Sequence, residues 1–142
     1  MAAYRTGAGA SFLFVMLFTI AAGLLSHWQP FFHVLPIIWA YVIVINYLGC
    51  ILGWMLLRYT PDHAGAHLRI FLFALLGYAF GELLSGIFLN RWMVAPPFIW
   101  ITIPGAWVYL WGHTILHHGP LRHVLAYGPL VLFALSFPFL RW

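Results

Sequence analysis

Long apolar runs separated by short polar hinges constrain this chain more than any other feature. Five stand out, at residues 9–25, 34–57, 68–89, 95–112 and 124–140, two of them short. A helix takes roughly 20 apolar residues to cross the hydrocarbon of a bilayer. Strands of a membrane barrel run to about 10 residues with alternating polarity, whereas these runs are longer and apolar all round. The expected fold is therefore an all-α integral membrane protein, a bundle of about five transmembrane helices with short loops. A single transmembrane domain covers 1–142. A four-helix version would have one of the last two segments re-entrant or lying at the interface.

The hinges carry turn chemistry. Ser26-His27-Trp28-Gln29-Pro30 closes the first segment and Arg58-Tyr59-Thr60-Pro61-Asp62-His63 the second. Asn90-Arg91-Trp92 closes the third, and His117-His118-Gly119-Pro120 parts the last two. Proline denies helix continuation and the polar groups seek water. Pro96 and Pro97 fit a helix start, while Pro104 and Pro129 imply kinks inside segments four and five, and Pro138 interrupts the fifth again. Arg5, the apolar stretch after it and Ala21-Ala22-Gly23 also fit a secretory signal. The segment is read here as the first membrane helix.

Composition excludes several classes. Only 6% of the 142 residues are charged, against about 25% in a soluble domain. Lipid, or other membrane subunits, must cover such a surface. The formal charge of +4 comes from six arginines set singly near the predicted helix ends, not from a patch. They read as topology determinants rather than a nucleic-acid site. With five crossings, Arg5, Arg58, Arg69 and Arg122 share one side and Arg91 and Arg141 the other. The excess predicts a cytoplasmic N-terminus and an outside C-terminus. Trp28, Trp92 and Trp142 fall near the outer surface, and Tyr4, Tyr59 and Trp111 near the inner one, as in an aromatic belt. The lone cysteine, Cys50, permits no intramolecular disulfide. No phosphate-binding loop, nucleophile elbow or soluble loop able to hold a nucleotide is present, which removes kinase, ATPase and dinucleotide-enzyme readings.

Eight histidines accompany only two acids. Five crossings would put His63, His67, His113, His117, His118 and His123 on the inner side, with His27 and His33 outside. His63 and His67 are spaced i, i+4, as are His113 and His117, with His118 next. On a helix this spacing places two imidazoles on one face. Two such pairs could enclose a transition metal, for which imidazole is a good ligand, with Asp62 as a further ligand or an acceptor for a ring N–H. His113, His117 and His118 are equally candidates for holding a cofactor. The competing reading is that these are ordinary interfacial histidines, or contacts to a partner subunit.

His113-xxx-His117-His118 resembles one histidine-box variant of membrane desaturases and hydroxylases, and His63-xxx-His67 resembles another. That family carries about three boxes on a longer chain; the third is missing here, and His123 alone does not replace it. Gly119-Pro120-Leu121-Arg122-His123 resembles the Gly-x-Arg-His motif of the succinate dehydrogenase cytochrome anchor, with its spacing off by one and the N-terminal motif absent. Neither resemblance assigns the chain to a family.

Two polar residues sit deep in apolar runs. Glu82 lies near the middle of the third segment and Asn46 near the middle of the second. A carboxylate at that depth costs about 3 kcal/mol on insertion scales, so it should be protonated or paired inside the bundle. Asn46, Gly49, Cys50 and Gly53 share a helical face; Gly77, Gly81 and Ser85 form a second small-residue stripe beside Glu82. Such stripes let backbones approach closely. Segments two and three are expected to pack through them, with Asn46 near Glu82.

Aromatic residues make up 20% of the chain. They form interfacial belts, but also line pockets for flat apolar ligands such as quinones, haem, carotenoids or chlorophyll-type pigments. Trp100, Trp107 and Trp111 share a stripe on segment four, facing either lipid or a packed core.

Three functions stay open. The first is a small non-catalytic subunit of a larger membrane assembly, of electron-transfer or light-harvesting type. It would pack helices and hold an apolar or His-ligated cofactor: haem, a pigment or a transition metal. The second is a membrane metalloenzyme whose inner-side histidines act on a lipid-soluble substrate. The third is a homo-oligomeric transporter or channel working through Glu82 and Asn46. Membrane lipids and other membrane subunits, or further copies of the chain, are the expected partners; nucleic acid is not.

Overall fold

Small residues early in the chain decide how the helices meet. The computed structural model describes residues 2–25, 31–61, 65–89 and 98–137. Among them are five α-helices: α1 (Ala2–Leu25), α2 (Phe31–Tyr59), α3 (Ala66–Leu89), α4 (Ile99–Thr114) and α5 (Arg122–Ser136). A single 3₁₀ turn, Leu116–His118, joins α4 to the last helix. Three helices are long and apolar enough to cross a membrane: Ala2–Leu25, Val34–Tyr59 and Ala66–Ile87. α4 has 16 residues and α5 has 15, rises of about 24 and 23 Å.

Successive helices run antiparallel. Trp39 of α2 donates its indole N–H to Thr19 Oγ1 of α1 at 2.9 Å near one end of the pair, and Tyr4 donates its hydroxyl to the Tyr47 carbonyl at 3.2 Å near the other. Trp107 of α4 donates to the Ile70 carbonyl of α3 at 3.1 Å. α5 runs parallel to α1, with the Arg5 guanidinium on the Tyr127 hydroxyl at 2.9 Å and Phe12 edge-on to Phe133. The start of α1, the end of α2, the start of α3, the end of α4 and the start of α5 therefore share one end of the bundle. Arg5, Arg58, Arg69 and Arg122 all lie there.

α1 is the hub. Thr6 to Phe12 are seven consecutive buried residues. Burial all round a helix is possible here because five of them, Gly7-Ala8-Gly9-Ala10-Ser11, are small enough for neighbours to close in on every side. A Cβ on Gly9 would run into the Leu125 carbonyl of α5, and one on Gly112 of α4 would lie 2.8 Å from the Gly7 Cα. α4 is held between α1 and α3, touching the latter where Gly77 meets the backbone of Thr102 and Ile103. α2 packs along α1 and stands off α3 and α4, leaving space between them.

The outer surface is strongly apolar. Tyr41, Phe71, Ile87 and Trp100 are all more than 60% exposed. A soluble protein does not present so continuous an apolar surface without a partner to cover it. Pro61 and Pro120 lie between helices, as expected, whereas Pro36, Pro104 and Pro129 lie inside α2, α4 and α5. Pro96, Pro97 and Pro138 lie outside the described residues.

Candidate ligand cavity

The space left by α2 is a cavity of about 240 Å³ bounded by α1, α2, α3 and α4. The small face expected on α2 lines it: Asn46, Gly49, Cys50 and Gly53. That face does not meet the glycine stripe of α3. A Cβ on Gly49 would lie 3.1 Å from the Phe80 ring, and one on Gly53 would lie 3.2 Å from Phe73. Two phenylalanines of α3, two turns apart, thus rest on two glycines of α2 and form that side of the cavity. The glycine stripe of α3 turns to α4 instead, with Gly77 against Ile103 and Gly81 against the Thr102 hydroxyl.

Asn46 does not pair with Glu82. Its Nδ2 donates to the Ala8 carbonyl at 3.2 Å, and its Oδ1 accepts from Ser11 Oγ at 2.9 Å. The reason is packing: the small residues of α1 bring a carbonyl and a hydroxyl within reach of an amide, while Glu82 lies on the side of α3 away from the Phe73 and Phe80 rings that meet α2. Glu82 is half-buried and hydrogen-bonds the Tyr78 hydroxyl one turn away on its own helix. It does not line the cavity.

The remaining polar groups of the wall are hydroxyls, and most are already committed. Thr19 donates to the Met16 carbonyl at 2.8 Å and Thr102 to the Phe98 carbonyl at 2.9 Å, each within its own helix. Tyr109 differs. It is 2% exposed, and its hydroxyl is buried with no hydrogen-bond partner among the described residues. Its ring stacks on Phe73 (centroids 6.1 Å apart, planes at 18°) and meets Tyr4 edge-on. Glycines flank it on both sides: a Cβ on Gly7 would lie 3.0 Å from one edge of the ring, and one on Gly53 3.1 Å from the other. Helical side chains lean toward the N-terminus of their helix. Tyr109 therefore leans away from the arginine-bearing end of the bundle, and it forms part of the cavity wall together with Thr102, Gly105 and Ala106 of the same helix.

The histidines are arranged differently from their spacing. α4 ends at Thr114, and His117 belongs to the 3₁₀ turn after it. His113 and His117 do not share an α-helical face, because the helix stops between them. His113 packs its ring on Tyr109 at 5.9 Å. His118 and His123 are exposed at the same end, and His123 Nε2 accepts from Arg122 Nε at 3.0 Å. His67 is exposed in the first turn of α3. Asp62 and His63 lie outside the described residues, as does the side chain of His117. Among the described residues no three His, Cys, Asp or Glu side chains stand close enough to hold a metal ion. No histidine among the described residues lines the cavity.

The tryptophan stripe of α4 faces outward: Trp100, Trp107 and Trp111 are 75%, 43% and 65% exposed. The aromatic rings at the cavity are Phe73, Phe80, Phe98 and Tyr109. Sequence reading missed Tyr109, although Thr102, Gly105, Ala106 and Tyr109 recur at i, i+3, i+4 and i+7 and so mark one face of α4. No family model, curated protein or solved structure matches the chain.

Proposed function

We propose that the chain is a small, non-catalytic, multi-pass membrane subunit that holds an apolar organic ligand between α1, α2, α3 and α4. It crosses the bilayer five times, with its arginine-bearing end in the cytoplasm. The cavity carries this reading. At about 240 Å³ it exceeds an apolar cavity of about 150 Å³ that accommodates benzene. Its wall is almost wholly apolar, so a lipid-soluble molecule gains contacts there that bulk lipid does not supply. Among the described residues this wall holds no histidine, and the reading is of an organic ligand held by apolar packing. Short α4 and α5 are compatible with crossing where flanking segments or neighbouring subunits complete the span.

The test is to extract the protein in mild detergent, wash it free of bulk lipid and analyse its organic extract by mass spectrometry, with an absorption spectrum of the intact particle. One lipid-soluble compound in stoichiometric amount is the expected result. Bulk phospholipid alone, in a monodisperse and fully helical sample, would refute the ligand-holding role.

A further inference from the structure

The shape of the cavity narrows the chemistry of the ligand. Its lining runs along the helices, from Phe73 to Leu84 on α3 and from Phe98 to Tyr109 on α4. At a rise of about 1.5 Å per residue each stretch is about 16 Å long. An extended hydrocarbon chain advances about 1.3 Å per carbon, given carbon–carbon bonds of about 1.5 Å, so about 12 carbons span this length. The volume gives nearly the same number. Scaled from an apolar cavity of about 150 Å³ that accommodates benzene, a cavity of about 240 Å³ takes about ten carbons. The space is therefore about one carbon wide along its length. The same carbons fused into flat rings would need more width and leave much of the length empty.

The two ends of this slot differ. At the arginine-bearing end Phe73 and Tyr109 are 0% and 2% exposed and stack on each other. Both rings abut α2, where a Cβ on Gly53 would lie 3.1 Å from Tyr109 and 3.2 Å from Phe73. Together they make a floor. At the other end the described lining residues Ile38, Leu84 and Phe98 are only half-buried. None of the described lining residues is charged.

We propose that the cavity is a slot for the single straight hydrocarbon chain of a lipid-soluble molecule, with the chain's methyl end on the Phe73–Tyr109 floor and its polar end beyond Ile38, Leu84 and Phe98. This rests on the ligand-holding reading above and adds the class of ligand and its direction. The slot lies parallel to the helices, as lipid chains do in a bilayer. Its length of about 16 Å matches the depth of one leaflet, half of a hydrocarbon core about 30 Å thick. The chain thus leaves its place among lipid tails for a wall of the same polarity without turning, and its head stays at the surface away from the arginines.

The experiment uses the purified full chain in a steroid-based detergent, which has no alkyl chain to compete. It is equilibrated with an equimolar mixture of straight primary alcohols from hexanol to octadecanol, together with the fused-ring anthracenemethanol, and the retained probe is read by native mass spectrometry. Ala106 lines the slot one turn from Tyr109, about 4.5 Å along the axis. Ala106→Phe raises the floor by that amount, and Ala106→Leu does so more mildly should the larger ring prevent folding. Helicity and monodispersity are checked for each variant. The native chain should retain one alcohol, chiefly decanol or dodecanol. Folded Ala106→Phe should prefer chains about three carbons shorter, and Ala106→Leu should fall between. Equal retention of all chain lengths by the native chain, preference for anthracenemethanol, or retention of no probe overturns the single-chain slot and leaves the ligand-holding reading to its own test. An unchanged length preference and undiminished retention in both folded variants mean that the chain binds elsewhere, which overturns the slot and the cavity reading together.

Discussion

Asn46 shows how a single amide can tie two helices where apolar burial contributes little. Lipid tails are as apolar as the side chains they replace, so helix association in a bilayer rests on close packing and interhelical hydrogen bonds. Asn46 bonds both Ser11 Oγ and the Ala8 carbonyl of α1. Measured interhelical bonds in membranes average about 0.6 kcal/mol and reach about 1.7. Asn46→Ala breaks both contacts and leaves the Ser11 hydroxyl to find another acceptor. It should destabilise the bundle by about 1–2 kcal/mol in a detergent unfolding titration. A variant as stable as the native chain would show that these bonds have no net weight.

At the scale of helices, the contacts divide by side-chain size. Gly77 of α3 lets the α4 backbone approach so closely that a Cβ there would lie 2.7 Å from the Ile103 Cα. Gly77→Val must push α3 and α4 apart, and overpacking of this kind costs about 1–3 kcal/mol. Gly65→Val, in open space before α3, should cost far less. Unfolding midpoints of the two variants test the difference; equal midpoints would mean that α3 and α4 do not depend on this approach. The helices themselves were legible in the sequence. Apolar length located all five, because the pattern is local, and the α2 boundary lay within a few residues of its place. Which faces meet was not legible. The stripes at Gly49–Gly53 and Gly77–Gly81 look alike as sequence, yet one receives phenylalanine rings and the other a helix backbone. That choice depends on α4, whose position no local pattern encodes. The histidine spacing misled for a related reason: i, i+4 implies a shared face only while the helix continues, and α4 stops at Thr114. Tyr109 was overlooked because one tyrosine among many aromatics carries no sign that glycines on two other helices will enclose it.

For the whole molecule, the alternation of helix directions gathers Arg5, Arg58, Arg69 and Arg122 at one end. Cytoplasmic ends of membrane proteins carry such an excess. In intact cells or sealed vesicles, single cysteines replacing Arg58 and Arg122 in a Cys50→Ala background should react with a membrane-impermeant thiol reagent only from the cytoplasmic face. Cysteines at Arg91 and Arg141 should react only from the opposite face. Labelling of Arg58→Cys and Arg122→Cys from opposite faces would remove one crossing from the α3–α4 stretch between them and favour the four-helix arrangement.

The enclosure of α1 also sets an order for biogenesis. Its buried stretch, Thr6 to Phe12, is covered largely by α4 and α5, which are translated a hundred residues later. Contacts so distant along the chain close late, after a long loop has been spanned. Until then α1 and α2 form a hairpin in which the Gly7 and Gly9 positions of α1, covered in the finished bundle by α4 and α5, have no neighbour. The ribosome thus makes the centre of the bundle first and its covering last. A translation intermediate ending before α4 is a natural substrate for membrane chaperones and quality-control proteases.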